Sequence, residues 1–331
     1  MSNYDIYGLG AALVDTEIEV TEVDLQDLEI DKGVMTLVDE ERQADLIAKL
    51  NDHLKTSKRA SGGSAANSII AASYFGSSTW YSCKVADDDN GKFYLNDLAE
   101  AGVAYREKNE YGEGTTGKCL VMITPDAERT MNTYLGISEL LSIDDIDEDA
   151  LLASKYAYVE GYLVTSATGL PAASRLKHLA QQNGVLTAIS LSDPAIVQFF
   201  REGLLEIIGD GVDILFCNEA EALNFTQTDS IENAKTALNQ YARSWAITRG
   251  AEGALVFDGK NEYSITPYKV TAVDTNGAGD MFAGAFLYGL TQGIGYEKAG
   301  QLASKASSVV VSQYGPRLTA EQHAEILKDF R

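Results

Sequence analysis

The sequence predicts an α/β protein with a mainly parallel central sheet and a small antiparallel excursion. From about residue 155, short apolar strands such as "VLTAISL", "VDILFCN" and "WAITRG" alternate with amphipathic segments. This alternation is typical of a parallel sheet with right-handed helical crossovers. Earlier in the chain, "TEIEVTEVDLQDLEI" alternates apolar and polar residues and suggests half-exposed antiparallel strands. A second strand pair is predicted from "KCLVMITP" and "RTMNTYLG".

The remaining elements follow in chain order. "YDIYGLGAALVD" predicts a strand that ends in a glycine turn, and "DEERQADLIAKLNDHL" has helical spacing. "GGSAANSIIAASYFG" predicts a glycine turn that leads into a helix of small residues, and "GALVFDGKNEYSI" predicts a hairpin. Since there is no repeat and no proline-rich linker, we expect a single domain over residues 1–331.

Composition excludes several classes of partner. Acidic residues outnumber basic ones 49 to 26, and the net charge of -23 repels nucleic acid and anionic membranes. The N-terminus is no signal peptide and no apolar run approaches a membrane span, so a cytoplasmic location is expected. Three scattered cysteines support neither a disulfide framework nor a zinc ribbon. The histidines are expected on the solvated surface rather than in a metal site: His53, His178 and His323.

The stretch "AVDTNGAGDMFAGAFLYGL" places an isolated acid among glycines at the start of an apolar helix. Gly277 and Gly279 disfavour a helix, so they indicate a backbone requirement such as the close approach of main-chain N–H groups to an anion. Asp280 would then stand beside an anion and could act as a general base for a hydroxyl that attacks a phosphoryl group. Alternatively, Asp280 is an ordinary first-turn acid that the helix dipole stabilises. The spacing alone leaves both interpretations open.

Two signatures resemble those of the PfkB, or ribokinase-like, kinases. They are "DTNGAGDMFAGAFL" and "SGGSAANSIIAASYFGSSTWYSCKVADDDNG", in the family's order along the chain. The resemblance implies a three-layer ribokinase-like fold with a small antiparallel β lid, here in residues of about 16–38 and 103–134. It also implies phosphorylation of a nucleoside or sugar hydroxyl with ATP and Mg²⁺. Activation by K⁺, known in parts of the family, is left open.

By this resemblance, the motifs carry the family's roles residue by residue. Asp280 is the general base, and the anion hole is formed by Gly277, Ala278 and Gly279. The acceptor site comprises Asp15, Gly62, Gly63 and Asn67. Nucleotide and phosphate contacts fall to Asn218, Glu221, Thr248, Gly250 and Asn276, with Glu221 holding Mg²⁺ through water. Arg129 reaches the transferred phosphate across the closed lid.

Several of these residues also have ordinary structural interpretations. Asp15 suits a turn at a strand end, and Asn67 suits a helix cap. Asn218 suits a helix N-cap and Glu221 a solvated acid, although an apolar strand delivers both to its C-terminal end. Arg129 suits a surface cation equally well.

The identity of the acceptor is the least determined feature. Stretches such as "TGKCLVMITPDAERTMNTYLG" are closer to adenosine kinases than to ribokinases, and Tyr162 and Cys119 are candidates to line a slot for the base. Ala11 and Ala195 depart from the animal adenosine kinase pattern. We therefore expect a nucleoside kinase, most simply for adenosine. The alternatives are a kinase of ribose, fructose or ketodeoxygluconate, and a catalytically silent binding regulator. An exposed lid could join two subunits or simply cap the site, so monomer and homodimer both stay open.

Overall fold

The large sheet carries the strand–helix alternation of the second half of the sequence. The computed structural model describes residues 3–51, 53, 58–107, 112–126 and 128–330. Nine strands form this sheet in the order β14-β13-β12-β11-β10-β9-β1-β5-β6. Their bounds are β1 Tyr4–Leu9, β5 Thr79–Ser82, β6 Val103–Ala104, β9 Ser154–Glu160, β10 Leu186–Ser190, β11 Val212–Asn218, β12 Ala242–Thr248, β13 Ala254–Phe257 and β14 Glu262–Ile265. The neighbours from β12 to β6 pair in parallel, and β13 and β14 form the predicted hairpin.

Helices cover both faces of this sheet and produce three layers. One face carries α3 Ser64–Phe75, α4 Asp89–Glu100, α10 Ala278–Thr291, α11 Tyr296–Val310 and α12 Ala320–Leu327. The other carries α5 Glu148–Leu152, α6 Gly169–Gln182, α7 Pro194–Ile208, α8 Glu219–Thr226 and α9 Ile231–Leu238. Because successive strand side chains alternate, Ile6 lies in the first core and Tyr7 in the second. The predicted three-layer α/β class is confirmed. Among the described residues, no helix has the length and apolar character that a membrane span requires.

The small sheet lies apart from the large one and has mixed pairing. Its strands are β2 Leu13–Glu19, β3 Met35–Leu37, β4 Lys58–Gly62, β7 Thr116–Ile123 and β8 Arg129–Gly136, in the order β3-β8-β7-β2-β4. β2 pairs antiparallel with β4 but parallel with β7, and β3 pairs parallel with β8. The sheet is therefore not antiparallel throughout. It takes β4 from outside the two expected lid segments, whereas β6, at the start of the second segment, joins the large sheet.

Part of the stretch expected as antiparallel strands is a helix. After β2 the chain forms α1 Glu22–Asp27, and α2 Glu40–Lys49 follows as the spacing predicts. The Thr21 side chain accepts the Asp24 N–H while Asp24 accepts from the Thr21 N–H, a reciprocal capping box that starts α1. The apolar residues of α1 and α2 cover the outer face of the small sheet, as Leu25 and Leu46 do beside Met122.

The prediction of three solvated histidines is wrong for His323. This residue is fully buried in α12, and its ring meets that of Phe75 edge-on, with 4.4 Å between centroids. Burial lowers the pKa of His323 to about 4, so the ring is neutral. The error arises because α12 docks on α3, a contact between helices distant in sequence. His178 is exposed, as predicted, and His53 is half-buried.

Candidate active site

A cavity between the two sheets opens at the carboxyl ends of the parallel strands β1, β9 and β10, where α/β proteins bind their ligands. Ala11 follows β1, Glu160 ends β9 and Ser192 follows β10, and all three line the cavity. The cavity brings together most of the predicted site residues, namely Asp15, Gly63, Asn67, Cys119, Arg129, Tyr162, Asn276, Gly277, Ala278, Gly279 and Asp280. Gly62, Asn218, Glu221, Thr248 and Gly250 are not among its lining residues.

Asp280 lies in the first turn of α10, and two side chains of α3 hold its carboxylate. Ser64 Oγ donates to Oδ1 at 2.6 Å, and Asn67 Nδ2 donates to Oδ2 at 3.1 Å. Burial raises the pKa of Asp280, while these hydrogen bonds and the nearby Arg129 charge oppose the rise. A first-turn acid that only complemented the dipole would not need two donors from another helix. The arrangement is that of an oriented base in a partly dehydrated site.

The glycines before Asp280 have two different structural explanations. Gly277 is the N-cap of α10 with φ of 73°, and a Cβ there would lie 2.6 Å from Cα of Pro316. Only glycine fits that left-handed, crowded position. At Gly279, by contrast, an added Cβ would have no described atom within 4 Å. The wall of the cavity is thus open beside Gly279 at the helix start, where the Ala278 N–H donates to the Thr275 carbonyl at 3.3 Å.

Asp274 fixes the loop that precedes this helix. Its side chain is fully buried, Oδ1 accepts the Asn276 N–H at 2.8 Å and Oδ2 accepts the Gly315 N–H at 2.9 Å. The Asn276 side chain turns the other way and donates to Glu17 Oε1 of the small sheet at 3.3 Å. The loop is therefore held both by the segment after α11 and by strand β2 of the small sheet.

Asp15 explains one of the glycines in the first signature. Its carboxylate lies so close to Gly62 that any Cβ there would collide with it. Gly63 has φ of 95° and is pressed against the Ala11 carbonyl. Asp15 is buried, and its pKa rises to about 8, first because of burial and second because of the neighbouring Glu17 carboxylate. The glycine pair thus lets an acid and a helix start meet at one wall of the cavity.

The opposite wall is mostly apolar. It is lined by Met35, Leu37, Met131, Leu135 and Leu163. Cys119 and Tyr162 lie with them, and burial raises the pKa of the Cys119 thiol, so it is an unreactive side chain here. Arg129 also lines the cavity, which removes its interpretation as a surface cation. Ala11 lines the cavity as well, whereas Ala195 does not; the Ala195 N–H donates to Asp193 Oδ1 at 2.7 Å.

The residues expected to contact nucleotide lie at the ends of two adjacent parallel strands. Asn218 ends β11 and pairs in register with Thr248 at the end of β12, while Gly250 follows in a turn with φ of 53°. Asn218 is indeed the N-cap of α8, and its Nδ2 donates to Glu221 Oε1 at 2.6 Å. Glu221 is not a solvated acid: it is buried, and burial raises its pKa to about 7. The interpretation of Asn218 as a helix N-cap therefore holds. The second carboxylate oxygen of Glu221 accepts the Asn218 N–H at 2.9 Å.

Sequence reasoning missed four polar residues of this region. Ser64 stands inside the quoted first signature and Asp274 inside the second, so both could have been found there. Glu160 ends an apolar strand as its only acid, which is a usable signal. Glu17 is buried on the same face of β2 as Asp15, two positions away, and the alternation of the strand could have indicated it.

A metal ion fits this donor set only in hydrated form. The described part of the chain contains no group of three or more His, Cys, Asp or Glu placed to hold a metal ion. Mg²⁺ usually keeps several waters and binds through substrate phosphates and one or two carboxylates. Glu221, a buried carboxylate already fixed by Asn218, suits such a contact through water.

Comparison with known proteins agrees with this geometry. The family model described as pfkB family carbohydrate kinase matches residues 33–323. The fold is similar to a probable sugar kinase from Rhizobium etli, with a TM-score of 0.93, 34% identity and coverage of 100% of this chain and 99% of the other. It is similar to adenosine kinase from Sinorhizobium meliloti, with a TM-score of 0.92, 33% identity and coverage of 98% and 99%. Adenosine kinase of Saccharomyces cerevisiae is 28% identical over 95% of this chain and 96% of its own length.

An ATP-dependent phosphotransferase with an alcohol group as acceptor is the class that this fold and cavity define. The chain belongs to the PfkB family of carbohydrate kinases. Within that family it is a nucleoside or sugar kinase, and its similarities lie on the side of the adenosine kinases. ATP is therefore one of its two substrates.

Proposed function

We propose that this chain is an adenosine kinase, which transfers the γ-phosphoryl group of ATP to the 5′-hydroxyl of adenosine. One observation carries the proposal: the held carboxylate of Asp280 shares a single cavity with a buried acid, Asp15, and with an apolar wall. A ribose needs the polar part, and a purine base needs the apolar part.

In the proposed reaction, Asp280 accepts the proton of the attacking hydroxyl. The oxygen then bonds to the γ-phosphorus as the bond to the β-phosphate oxygen breaks. The main-chain N–H groups of Gly277, Ala278 and Gly279 face the charge on the transferred group, and Arg129 adds a cation from the lid. Ser64 and Asn67 keep the base oriented toward the hydroxyl.

The acceptor is held by its ribose and its base. Asp15 and Asn67 can accept from and donate to neighbouring ribose hydroxyls, and burial makes an unmatched partner costly. Leu37, Met131 and Tyr162 supply the apolar and aromatic surface for the base. A free sugar leaves that surface uncovered, so the nucleoside should bind far better.

ATP is proposed to lie at the ends of β11 and β12, beside Asn218, Thr248, Gly250 and Asn276. Mg²⁺ would neutralise phosphate charge, held by the phosphates and through water by Glu221. In an acidic protein of net charge -23 this neutralisation matters for the binding of any polyphosphate. Dependence on K⁺ stays a prediction, which turnover in K⁺ and Na⁺ buffers of equal ionic strength tests.

We propose a single kinase domain that works as a monomer. Within the described part of the chain, α1 and α2 cover the outer face of the small sheet, so this face is not a flat apolar surface that a lid-to-lid dimer would bury. Closure of the lid excludes water, and ATP hydrolysis without acceptor should be slow. Sedimentation at several concentrations tests the monomer.

The second candidate is a kinase of a free sugar. The similarity to a probable sugar kinase from Rhizobium etli favours it, because that protein matches the whole chain. A panel of adenosine, other nucleosides, ribose, fructose and ketodeoxygluconate with ATP separates the two candidates. Turnover of free sugars alone would replace the adenosine proposal.

The role of the base is tested separately. Asp280→Asn should lower kcat by roughly 10²–10⁴-fold, the usual contribution of a general base. Asp89→Asn is the matched control, because Asp89 is also a first-turn acid, on α4, and lies outside the cavity. Near-normal turnover of Asp280→Asn would show that another group takes the proton.

A further inference from the structure

We propose that Glu160 is a positioning residue of this site, whose carboxylate joins the loop after β1 to the first turn of α3. The inference rests on the proposed role of Asp280, because α3 carries the two side chains that hold that base. Glu160 does not need to touch either substrate for this role.

The contacts of Glu160 are made with the main chain of two separate segments. Its side chain is 1% exposed at the end of β9. Oε1 accepts the Ala11 N–H at 2.7 Å, and Oε2 accepts the Ala65 N–H at 2.7 Å. A Cβ at Gly10 would lie 2.8 Å from the Glu160 carboxyl carbon, so the glycine makes room for this carboxylate. Both oxygens are thus committed to the geometry of the backbone.

The first turn of α3 depends on this carboxylate. The N-cap of α3 is Gly63, which has no side chain to accept a helix N–H. Glu160 supplies the missing acceptor from another strand, and its charge suits the positive end of the helix dipole. Ser64 and Asn67 belong to this same turn, so a shift of the helix start moves both donors of Asp280 together.

Two buried tyrosines bond to the same loop and to the residues just before α3. Tyr81 donates its hydroxyl to the Ala11 carbonyl at 3.0 Å, and Tyr94 donates to the Gly62 carbonyl at 3.1 Å. Both rings are 1% exposed or less. The N–H and the carbonyl of Ala11 are therefore both fixed by buried side chains. This loop leads directly into β2 and Asp15. Glu160, Tyr81 and Tyr94 therefore fix the position of the acceptor site relative to the base.

A role in stability alone does not explain an acid at this position. Burying a carboxylate is costly, and here burial raises the pKa of Glu160 to about 7 in spite of its two N–H donors. The negative charge of Asp280 raises it further. An apolar residue would fill the same space at lower cost, but it could not accept two main-chain hydrogen bonds.

The test is Glu160→Gln, which keeps the shape but turns an NH₂ group toward one of the two N–H donors. We expect kcat/KM for the acceptor to fall roughly 10- to 100-fold, as for small misplacements of reacting groups, while KM for ATP stays unchanged. Amide-proton shifts of Ala11 and Ala65 in NMR spectra should move upfield as charged acceptors are lost. Tyr81→Phe should give a smaller fall of the same kind.

The control is Tyr7→Phe, which removes a buried hydroxyl that contacts Ser82 Oγ at 2.6 Å and accepts the Asp147 N–H at 2.9 Å, in the other core. It should lower stability and leave kcat/KM unchanged. Normal kcat/KM in Glu160→Gln, or an equal loss in Tyr7→Phe, would overturn the inference. If Glu160→Gln does not fold, unchanged kcat/KM in Tyr81→Phe overturns it instead. Turnover by Asp280→Asn would refute the base alone, and the amide shifts would still report on the Glu160 tie.

Discussion

Gly277 and Gly279 offer a paired test of the anion hole, since the same substitution meets opposite surroundings at two positions. An alanine at position 277 would have to adopt φ of 73°, and its Cβ would lie 2.6 Å from Pro316 Cα. Strain of this kind costs about 1–3 kcal/mol. Overpacking against backbone adds about 1–3 kcal/mol. Gly277→Ala should therefore lose about 2–6 kcal/mol, which lowers Tm by about 4–12 °C for a chain of this size.

Gly279→Ala should behave in the opposite way in the folding assay. No described atom lies within 4 Å of the added Cβ, and alanine is favoured over glycine in a helix by up to about 1 kcal/mol. Thermal unfolding should show an unchanged or slightly raised Tm. The methyl group nevertheless stands at the cavity wall where the transferred phosphate is proposed to bind. The substitution keeps the main-chain N–H, but the methyl group holds the phosphate away from it. Loss of one such contact typically lowers kcat by about 10²–10³-fold.

Two measurements separate the effect of each substitution on folding from its effect on catalysis. Differential scanning calorimetry gives the stability of each variant, and a coupled assay of ADP release gives kcat and KM. Gly279→Ala should be stable and nearly inactive. Full activity in a stable Gly279→Ala would refute the placement of the phosphate at these amides, whatever Gly277→Ala does.

Three further predictions concern single side chains. Asp15 has a pKa of about 8 in the folded chain against an ordinary 3.8, so the free energy of unfolding falls as pH rises between these values. Asp15→Asn should therefore gain stability relative to wild type over that range, as measured by urea unfolding at several pH values. His323 has a pKa of about 4 in the folded chain against an ordinary 6.5, so the free energy of unfolding falls by about 3 kcal/mol as pH drops between these values. This pH dependence should be absent in His323→Gln. Leu37 is 41% exposed at the cavity edge, so Leu37→Ala should leave Tm nearly unchanged. It should raise KM for adenosine about 10-fold without changing KM for ribose. An equal rise in both KM values would argue against a slot for the base.

Local patterns allowed the sequence to predict the start of α10 and the first turn of α3. The left-handed φ of Gly277 is a property of the turn itself, and a short motif records it. The crowding at Gly62 comes from Asp15 of another strand, so the motif keeps the glycine without showing its cause. The acid at 280 is equally local, since its place in the first turn follows from the helix period. The two strands that the sequence placed in "KCLVMITP" and "RTMNTYLG" are β7 and β8 of the small sheet.

Long-range contacts explain what the sequence could not predict. Glu160 bonds to Ala11 across 149 positions, and a single sequence contains no pattern that pairs them. The same holds for His323, whose burial depends on a neighbouring helix. The error at α1 has another cause: alternating acids and apolar residues fit a strand and a short helix equally well. There the capping box of Thr21 and Asp24 was a local signal that favoured the helix.

The core between the small sheet and the helices on its back joins segments that lie far apart in the chain. β2, α1 and α2 lie in the first 50 residues, whereas β7 and β8 occupy residues 116–136, after β5 of the large sheet and its helices α3 and α4. Pairings between such distant segments are slow to form because the intervening chain must be closed into a loop. As a nascent chain leaves the ribosome, Ile18 and Leu46 are made well before Leu120, their neighbour in the core of the small sheet. α10, which carries Asp280, is made later still, so the cavity is complete only when nearly the whole chain has been synthesised.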